Sequence, residues 1–501
     1  MQEAEVIKIF NLNTHTIQPE VLQLIPESAA RKHNVIPLAI LDNSLQVATA
    51  EADNVPALQE LAVLSKMRIS PVPADIKEIQ NAIDHNYKSY HEIENQFDII
   101  SSVAKTEDGI SFADIANAPA VRALDLIISE AVKVRTSDIH IEPQEKRLRV
   151  RFRIDGVLSD MMSLHLSAHA PILSRLKIMA KMNIADRSPQ DGQFSIKVRS
   201  QEIDVRVATA DTIYGEMGSL RLLYKSFAAR SLSQLGFLPE NLKQYENILK
   251  SPYGMLLVCG PTGSGKTTTL YASINCLDSK SRKVITIEDP VEYRFKDICQ
   301  MQVNKRAGLT FASGLRSIMR HDPNVIMVGE IRDAETVRIA TQSALTGQLV
   351  LSSIHANDTI GCLFRLQDLG IGLFLISAVV IGIVSQRMVR CVCPHCSHLV
   401  EAPLEAQIAY RQETGEERTH FLYGKGCNAC ANTGYLGRVP IIEILVMNKE
   451  IRSTLLSGAN ADEVRSTARK LGMKSMWHDG MLKVKEGITT PTEVLFNVLH
   501  E

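Results

Sequence analysis

The sequence predicts a multidomain α/β protein with a parallel sheet in its C-terminal half, and three observations carry this. A chain of 501 residues is too long for one core and should divide into three or more domains. From about residue 232, continuous apolar runs alternate with helical segments: MLLVC (255–259), VITI (284–287), VIMV (325–328) and LVLSSI (349–354). Such runs fit strands buried on both faces, as the parallel strands of an α/β domain are. Before residue 232 the pattern differs, with strict apolar–polar alternation in RLRVRFRIDG (147–156) and QEIDVRVAT (201–209).

Composition is ordinary, 45% hydrophobic and 22% charged, so most of the chain should fold. Lys plus Arg (55) nearly balances Asp plus Glu (56), which argues against a dedicated nucleic-acid binder. The N-terminus MQEAEVIKIF lacks the basic-then-apolar pattern of a signal peptide. The most apolar stretch, IGLFLISAVVIGIV (371–384), has 14 residues and stops at Ser385-Gln386-Arg387. That is short of the roughly 20 residues that span a bilayer, so it is expected to be a buried helix and the protein cytoplasmic.

Residues 1–88 mix short apolar runs (VIPLAIL, LQVATA) with the helical PALQELAVLSKM, predicting a small α/β or α+β module. The polar, weakly periodic segment 89–118 reads as a linker. A helix is expected from Pro119 through PAVRALDLIISEAVKV, with proline in its first turn. In 147–156, Val150, Phe152 and Ile154 share one strand face while Arg149, Arg151, Arg153 and Asp155 share the other. In 201–209, Ile203, Val205 and Val207 point inward and Asp204 and Arg206 outward. A solvated charged face and a face that approaches polyphosphate both satisfy this pattern.

Chemistry concentrates in the C-terminal half. GPTGSGKT (260–267) fits G-x-x-x-x-G-K-[ST] and lies between the strand MLLVC and a helix beginning TTLYASI. Gly260, Gly263 and Gly265 would let the backbone N–H groups of the loop, which also holds Pro261, Thr262 and Ser264, turn in and wrap phosphate oxygens, and Thr268 follows at the helix start. Lys266 would reach the β- and γ-phosphates of ATP, and the Thr267 hydroxyl would hold Mg²⁺. Further polar groups close the other parallel strands: Glu288-Asp289, Gly329-Glu330 and His355. Ligands of such sheets bind at this edge. Glu330 stands where a carboxylate polarises the water that attacks the γ-phosphate, with Glu288 a second candidate acting through a metal-bound water.

Nine cysteines in a chain of this size do not make a disulfide scaffold. Cys259, Cys276, Cys299 and Cys362 are scattered, whereas CVCPHC (391–396) and GCNAC (426–430) hold two CxxC knuckles. Cys393, Cys396, Cys427 and Cys430 match the pairing of a structural Zn²⁺ site, with Cys391 and His395 as nearby competitors. Redox pairs or free thiols are the alternative.

Taken together, GPTGSGKTTTL, VITIEDPVEY (284–293), RHDPNVIMVGEIRD (320–333) and TGQLVLSSIHAND (346–358) resemble the motifs of the secretion ATPase superfamily: type II secretion E components and type IV pilus assembly ATPases. SDIHIEP (137–143), RFRIDG (151–156), QDGQ (190–193), the two cysteine knuckles and TGYLGRVPIIEIL (433–445) extend the likeness over nearly the whole chain. The resemblance implies a RecA-like ATPase domain at 231–390, preceded at 119–230 by an α+β (PAS-like) domain whose arginines, Arg206 and Arg221 above all, close on ATP. It implies a zinc module at 391–440, a helical region at 441–501 and a homo-hexamer. It also implies docking to inner-membrane platform proteins through 1–88 and the zinc module, with membrane association through those partners only. Some relatives bind cyclic di-GMP through an Arg-Leu-Gly motif in the first domain, and residues 1–88 contain no such tripeptide.

Two positions depart from the family pattern, which commonly has Arg at Gln193 and His at Gln348. They motivate one alternative, a nucleotide-gated scaffold with little hydrolysis. A second alternative is a RecA-like hexamer that translocates nucleic acid, which the near-neutral charge disfavours. Pilus retraction ATPases share the motor half but as a family lack the 1–88 module and the cysteine insertion.

Overall fold

The computed structural model of the protein describes residues 19–87 and 112–498, apart from 23, 42–43, 81, 84–86, 199–200, 225–230 and 278. Residues 89–111 of the expected linker lie outside the described residues. The chain forms two compact units, one of the residues up to Tyr224 together with Lys425–Gly434 and one of the remainder.

The N-terminal module is a three-stranded sheet of β1 (Val35–Leu41), β2 (Ser44–Thr49) and β3 (Arg68–Pro73). The pair β1/β2 is antiparallel and needs only a short turn, while β2/β3 is parallel and needs a crossover. The helix Val55–Ser65 supplies it, opened by Asn54, whose side chain accepts from Ala57 N at 3.2 Å, and by proline in its first turn. Ile36, Leu38, Leu45, Val47 and Leu61 fill its core.

Six strands follow: β4 (Thr136–Pro143), β5 (Arg147–Ile154), β6 (Val157–His165), β7 (Gln190–Val198), β8 (Gln201–Thr212) and β9 (Gly215–Tyr224). They form one antiparallel sheet in the order β6-β5-β4-β9-β8-β7. Alternation decides which face is dry. Val150, Phe152, Ile154, Ile203, Val205 and Val207 are buried in one core with residues of two helices, Phe112–Lys133 and His169–Met179. The first helix begins at Phe112, upstream of the expected start at Pro119, because the alanine-rich FADIANA favours helix strongly enough to extend it.

The second unit is built on β10 (Gly254–Cys259), β11 (Val284–Glu288), β12 (Cys299–Gln302), β13 (Val325–Ile331), β14 (Leu349–Ile354), β15 (Val380–Val392) and, beyond a small hairpin of β16 (Ser397–Glu401) and β17 (His420–Gly424), β18 (Tyr435–Val446). The sheet order is β12-β11-β13-β14-β10-β15-β18. All neighbours are parallel except β15/β18. β10 and β14 are buried at every position, and apolar clusters cover both sheet faces, as their uninterrupted apolar sequences require.

The apolar stretch 371–384 is not the single buried helix that its composition suggests. It splits into a short helix, Leu373–Val379, and the start of β15. The β-branched VVIGIV half pairs with β10 on one side and β18 on the other, and burial in a sheet satisfies its apolar surface as well as a helix would. Among the described residues no helix is long and apolar enough to cross a membrane. β15 runs on past residue 390, and β18 starts before 440, so the cysteine-bearing segment emerges between two paired strands.

Candidate active site and cysteine cluster

Because β10, β11, β13 and β14 are parallel, the residues following them converge on one edge of the sheet. The loop after β10 turns with Gly260 at φ +140°, Gly263 at +81° and Gly265 at +89°, conformations that side chains strongly disfavour. Gly265 caps the helix Lys266–Cys276, whose free N–H groups and dipole face the loop. Lys266 Nζ donates to the carbonyls of Gly260 (2.8 Å) and Pro261 (3.0 Å). Burial pulls its ammonium below the ordinary lysine value, with Cys259 and the Glu330 charge opposing. Pro261, Thr262, Gly263 and Thr267 lie exposed on the rim, and Thr268 is half-buried.

Glu330 lies at the end of β13, held by Arg332 at 2.5 Å, and its other oxygen is 3.6 Å from His355 Nε2. The Glu330 hydrogen bond raises the Arg332 guanidinium further above its ordinary value. Arg332 belongs to the GEIRD stretch, yet sequence reasoning assigned it no role. Glu288 differs in kind. It is buried, with Thr286 Oγ1 (2.6 Å) and Gln300 Nε2 (3.1 Å) donating to one oxygen and the Tyr271 hydroxyl to the other. That hydroxyl also accepts from Glu292 N at 3.1 Å, and burial together with the Glu288 charge raises its pKa. Three protein donors hold the two Glu288 oxygens, which leaves about one of a carboxylate's four acceptor sites for a metal-bound water.

In the other unit, strand register builds a lateral row on the polar face. Gln193 pairs with Arg206, Arg206 with Arg221, Arg221 with Asp138, and Asp138 with Arg153. Asp138 accepts from Arg221 Nε at 2.8 Å and lies 3.8 Å from Arg153. Burial alone would raise the Asp138 carboxyl, but the bonds and charges of Arg221, Ser137 and Arg153 hold it below the ordinary aspartate value. Arg149 and Arg151 are paired with Asp160 and Glu142, at 2.6 Å each. Of the outward arginines, Arg221 stays largely exposed despite its bond.

The profile described as "Type II/IV secretion system protein" matches residues 114–496, well over half the chain. The chain belongs to this family. A second profile, the MshEN domain, matches residues 7–92. Among similar proteins, the type IV pilus assembly ATPase PilB of Myxococcus xanthus is 40% identical over 502 residues, covering 98% of this chain and 89% of that one. The type II secretion system protein E of Dickeya dadantii is 39% identical over 495 residues, covering 95% and 97%. The fold is that of the ATPase DotB of Legionella pneumophila, with a TM-score of 0.56 at 22% identity over 74% of this chain and 94% of that one.

This secretion ATPase carries its cysteine knuckles at the open end of the β15/β18 pair, where Val392 lies opposite Tyr435. Cys393, Cys396, Cys427 and Cys430 offer four sulfurs within 4.8 Å of one another. The Cys427 and Cys430 sulfurs are 3.7 Å apart, close to the edge of about 3.8 Å of a ZnS₄ tetrahedron built on Zn–S bonds of about 2.3 Å. They are far beyond the roughly 2.05 Å of a disulfide, so this knuckle is a pair of unbonded sulfurs here. Cys427 N also points at the Cys430 sulfur, 3.2 Å away, an arrangement that stabilises a thiolate.

The two departures from the family pattern occupy different places. Gln193 belongs to the arginine row. Gln348 precedes β14 at the end opposite His355, where its carbonyl accepts from Gly254 N (3.1 Å) and its side chain from Thr346 Oγ1 (2.8 Å). A strand of six residues separates them by roughly 20 Å. Within its own domain Gln348 therefore takes no part in the phosphate site.

Proposed function

We propose that this secretion ATPase is the homo-hexameric motor of a type II secretion or type IV pilus assembly machine, converting ATP hydrolysis into movement of an inner-membrane platform. The observation that carries this reading is the convergence of Lys266, Glu330 and His355 on one sheet edge, in a chain alike from end to end to ATPases named for those two machines.

In this reading the loop 260–265 and Lys266 bind the phosphates. The Thr267 hydroxyl would hold Mg²⁺, which when bound would supply positive charge against that developing on the γ-phosphoryl group. Cys393, Cys396, Cys427 and Cys430 would hold Zn²⁺ in a structural role. Glu330 accepts a hydrogen bond from the attacking water and aligns it with the γ-phosphorus. His355 supplies a second polar group beside the same carboxylate. Arg206 and Arg221 approach the phosphates from the PAS-like domain 119–230, and Glu288 acts chiefly by fixing the segment that follows β11. Residues 1–88 and the zinc module dock the platform, which keeps the protein on the cytoplasmic face of the inner membrane.

The test is a chromosomal Lys266→Ala allele in the source organism, scored for surface pili by microscopy and for secreted proteins in the culture medium. Loss of one output names the machine. Retention of both, with ATPase activity abolished in the purified variant, would contradict the motor reading. DNA-stimulated turnover that falls steeply with salt would favour a nucleic-acid translocase instead.

A further inference from the structure

β10 and β15 run parallel with Cys259 opposite Ser385, so the next residue of each strand, Gly260 and Gln386, lie side by side. Gln386 is 1% exposed, a polar side chain buried directly behind the phosphate loop. Its Nε2 donates to the carbonyl of Ser264 at 2.6 Å, and its Oε1 accepts from Thr269 Oγ1 at 2.9 Å. One amide thus ties the crest of the loop to the first turn of the helix that carries Lys266 and Thr267. The loop also closes tightly on Gln386. A Cβ at Gly260 would lie 2.3 Å from the Gln386 carbonyl oxygen, and one at Gly265 3.1 Å from Gln386 Nε2. Gly265 is therefore constrained partly by this side chain, and Gly260 by the backbone of the same residue.

We infer that Gln386 is the positioning residue of the phosphate loop, holding the Ser264 carbonyl turned back into the protein so that the N–H groups of 263–267 point toward phosphate. The inference rests on the reading of 260–267 as the ATP site and names a residue that this reading does not use. A planar amide suits the task because it presents a donor and an acceptor in fixed geometry, as neither Leu nor Glu can. Gln386→Leu leaves a buried carbonyl without its donor, and Gln386→Glu sets a carboxylate against it. Leaving such a group unsatisfied costs about 1–3 kcal/mol, roughly 5- to 150-fold in an equilibrium constant.

The experiment measures KM and kcat for Mg-ATP, and the rise in melting temperature that Mg-ATP produces, in full-length Gln386→Leu, Gln386→Glu and Lys266→Ala proteins. The expected result is a KM raised at least about tenfold in both Gln386 variants with a smaller change in kcat. The Mg-ATP-induced rise in melting temperature should shrink with it, beside a fall of a few degrees in the melting temperature without nucleotide. A KM within twofold of wild type in both variants overturns the inference. So does a fall in melting temperature with an undiminished response to Mg-ATP, which would mark Gln386 as a packing residue only. Should both variants fail to fold, Thr269→Val removes one side of the bridge alone, and an unchanged KM there likewise overturns it. The Lys266→Ala protein separates two failures. If it binds Mg-ATP normally, the site itself is misassigned, whereas if it has lost binding and the Gln386 variants have not, only the inference falls.

Discussion

Arg206 and Arg221 stand directly opposite each other on the neighbouring antiparallel strands β8 and β9. Like charges in that position repel, and the pair is tolerable because its neighbours are not cationic. Asp138 holds Arg221 at one end of the row, and neutral Gln193 faces Arg206 at the other. The row is thus a graded positive strip with a vacancy in charge at Gln193, where the family resemblance implies arginine.

Restoring charge at that vacancy should speed turnover. We expect Gln193→Arg to raise kcat by roughly three- to tenfold, far below the ~10³–10⁵ of a complete arginine finger because Arg206 and Arg221 already supply most of the charge. Steady-state ATPase assays decide it. A rate equal to or below wild type would show that position 193 does not reach the nucleotide.

Arg206→Ala should cut ATPase turnover by at least about tenfold if its charge offsets that of the transition state. If the contact crosses subunits, mixing Arg206→Ala chains with Lys266→Ala chains recovers activity, since mixed interfaces combine an intact arginine with an intact phosphate loop. The assay is rate against mixing ratio after subunit exchange is confirmed. Full activity of Arg206→Ala alone would move attention to Arg149, Arg151 and Arg153.

The Asp138–Arg221 contact has a pH signature. The folded-state pKa of Asp138 lies below its unfolded value, so its contribution to stability is fully present above the unfolded value of about 3.9 and fades as pH falls through the folded one. The gap in melting temperature between wild type and Asp138→Asn should therefore hold steady from about pH 7 to 5 and narrow below about 4. A gap unchanged down to pH 3 would show that the carboxylate charge contributes nothing there.

Purified without chelator, the protein should contain about one Zn²⁺ per chain, measured by elemental analysis. Replacing any of Cys393, Cys396, Cys427 or Cys430 with Ser should lower both zinc content and melting temperature, because binding to a structural site is folding free energy. Zinc-free protein of unchanged stability would contradict the assignment.

What the sequence made legible, and what it hid, follows from the range of the interactions. MLLVC, VITI, VIMV and LVLSSI are strands at the expected places because burial on both faces leaves an uninterrupted apolar run. The phosphate loop is legible because its glycines and Lys266 are contiguous. Residues 371–384 misled because a short apolar run satisfies helix and buried strand alike, and only pairing with β10 and β18 decides between them. The bonds that Tyr271, Thr286 and Gln300 make to Glu288, the alignment of Gln193 with Arg206 and the bridge made by Gln386 all depend on long-range pairing or packing. The one available hint at Gln386 was a polar residue ending an apolar run.

The central claim is that Glu330 activates water while Lys266 holds phosphate, and one paired measurement tests it most directly: Mg-ATP affinity and single-turnover hydrolysis in Glu330→Gln beside Lys266→Ala. Glu330→Gln keeps the shape of the site and loses the charge that polarises water. It should bind Mg-ATP about as tightly as wild type and hydrolyse it at least ~10²-fold more slowly, whereas Lys266→Ala should lose affinity as well. Hydrolysis by Glu330→Gln at the wild-type rate would contradict the account.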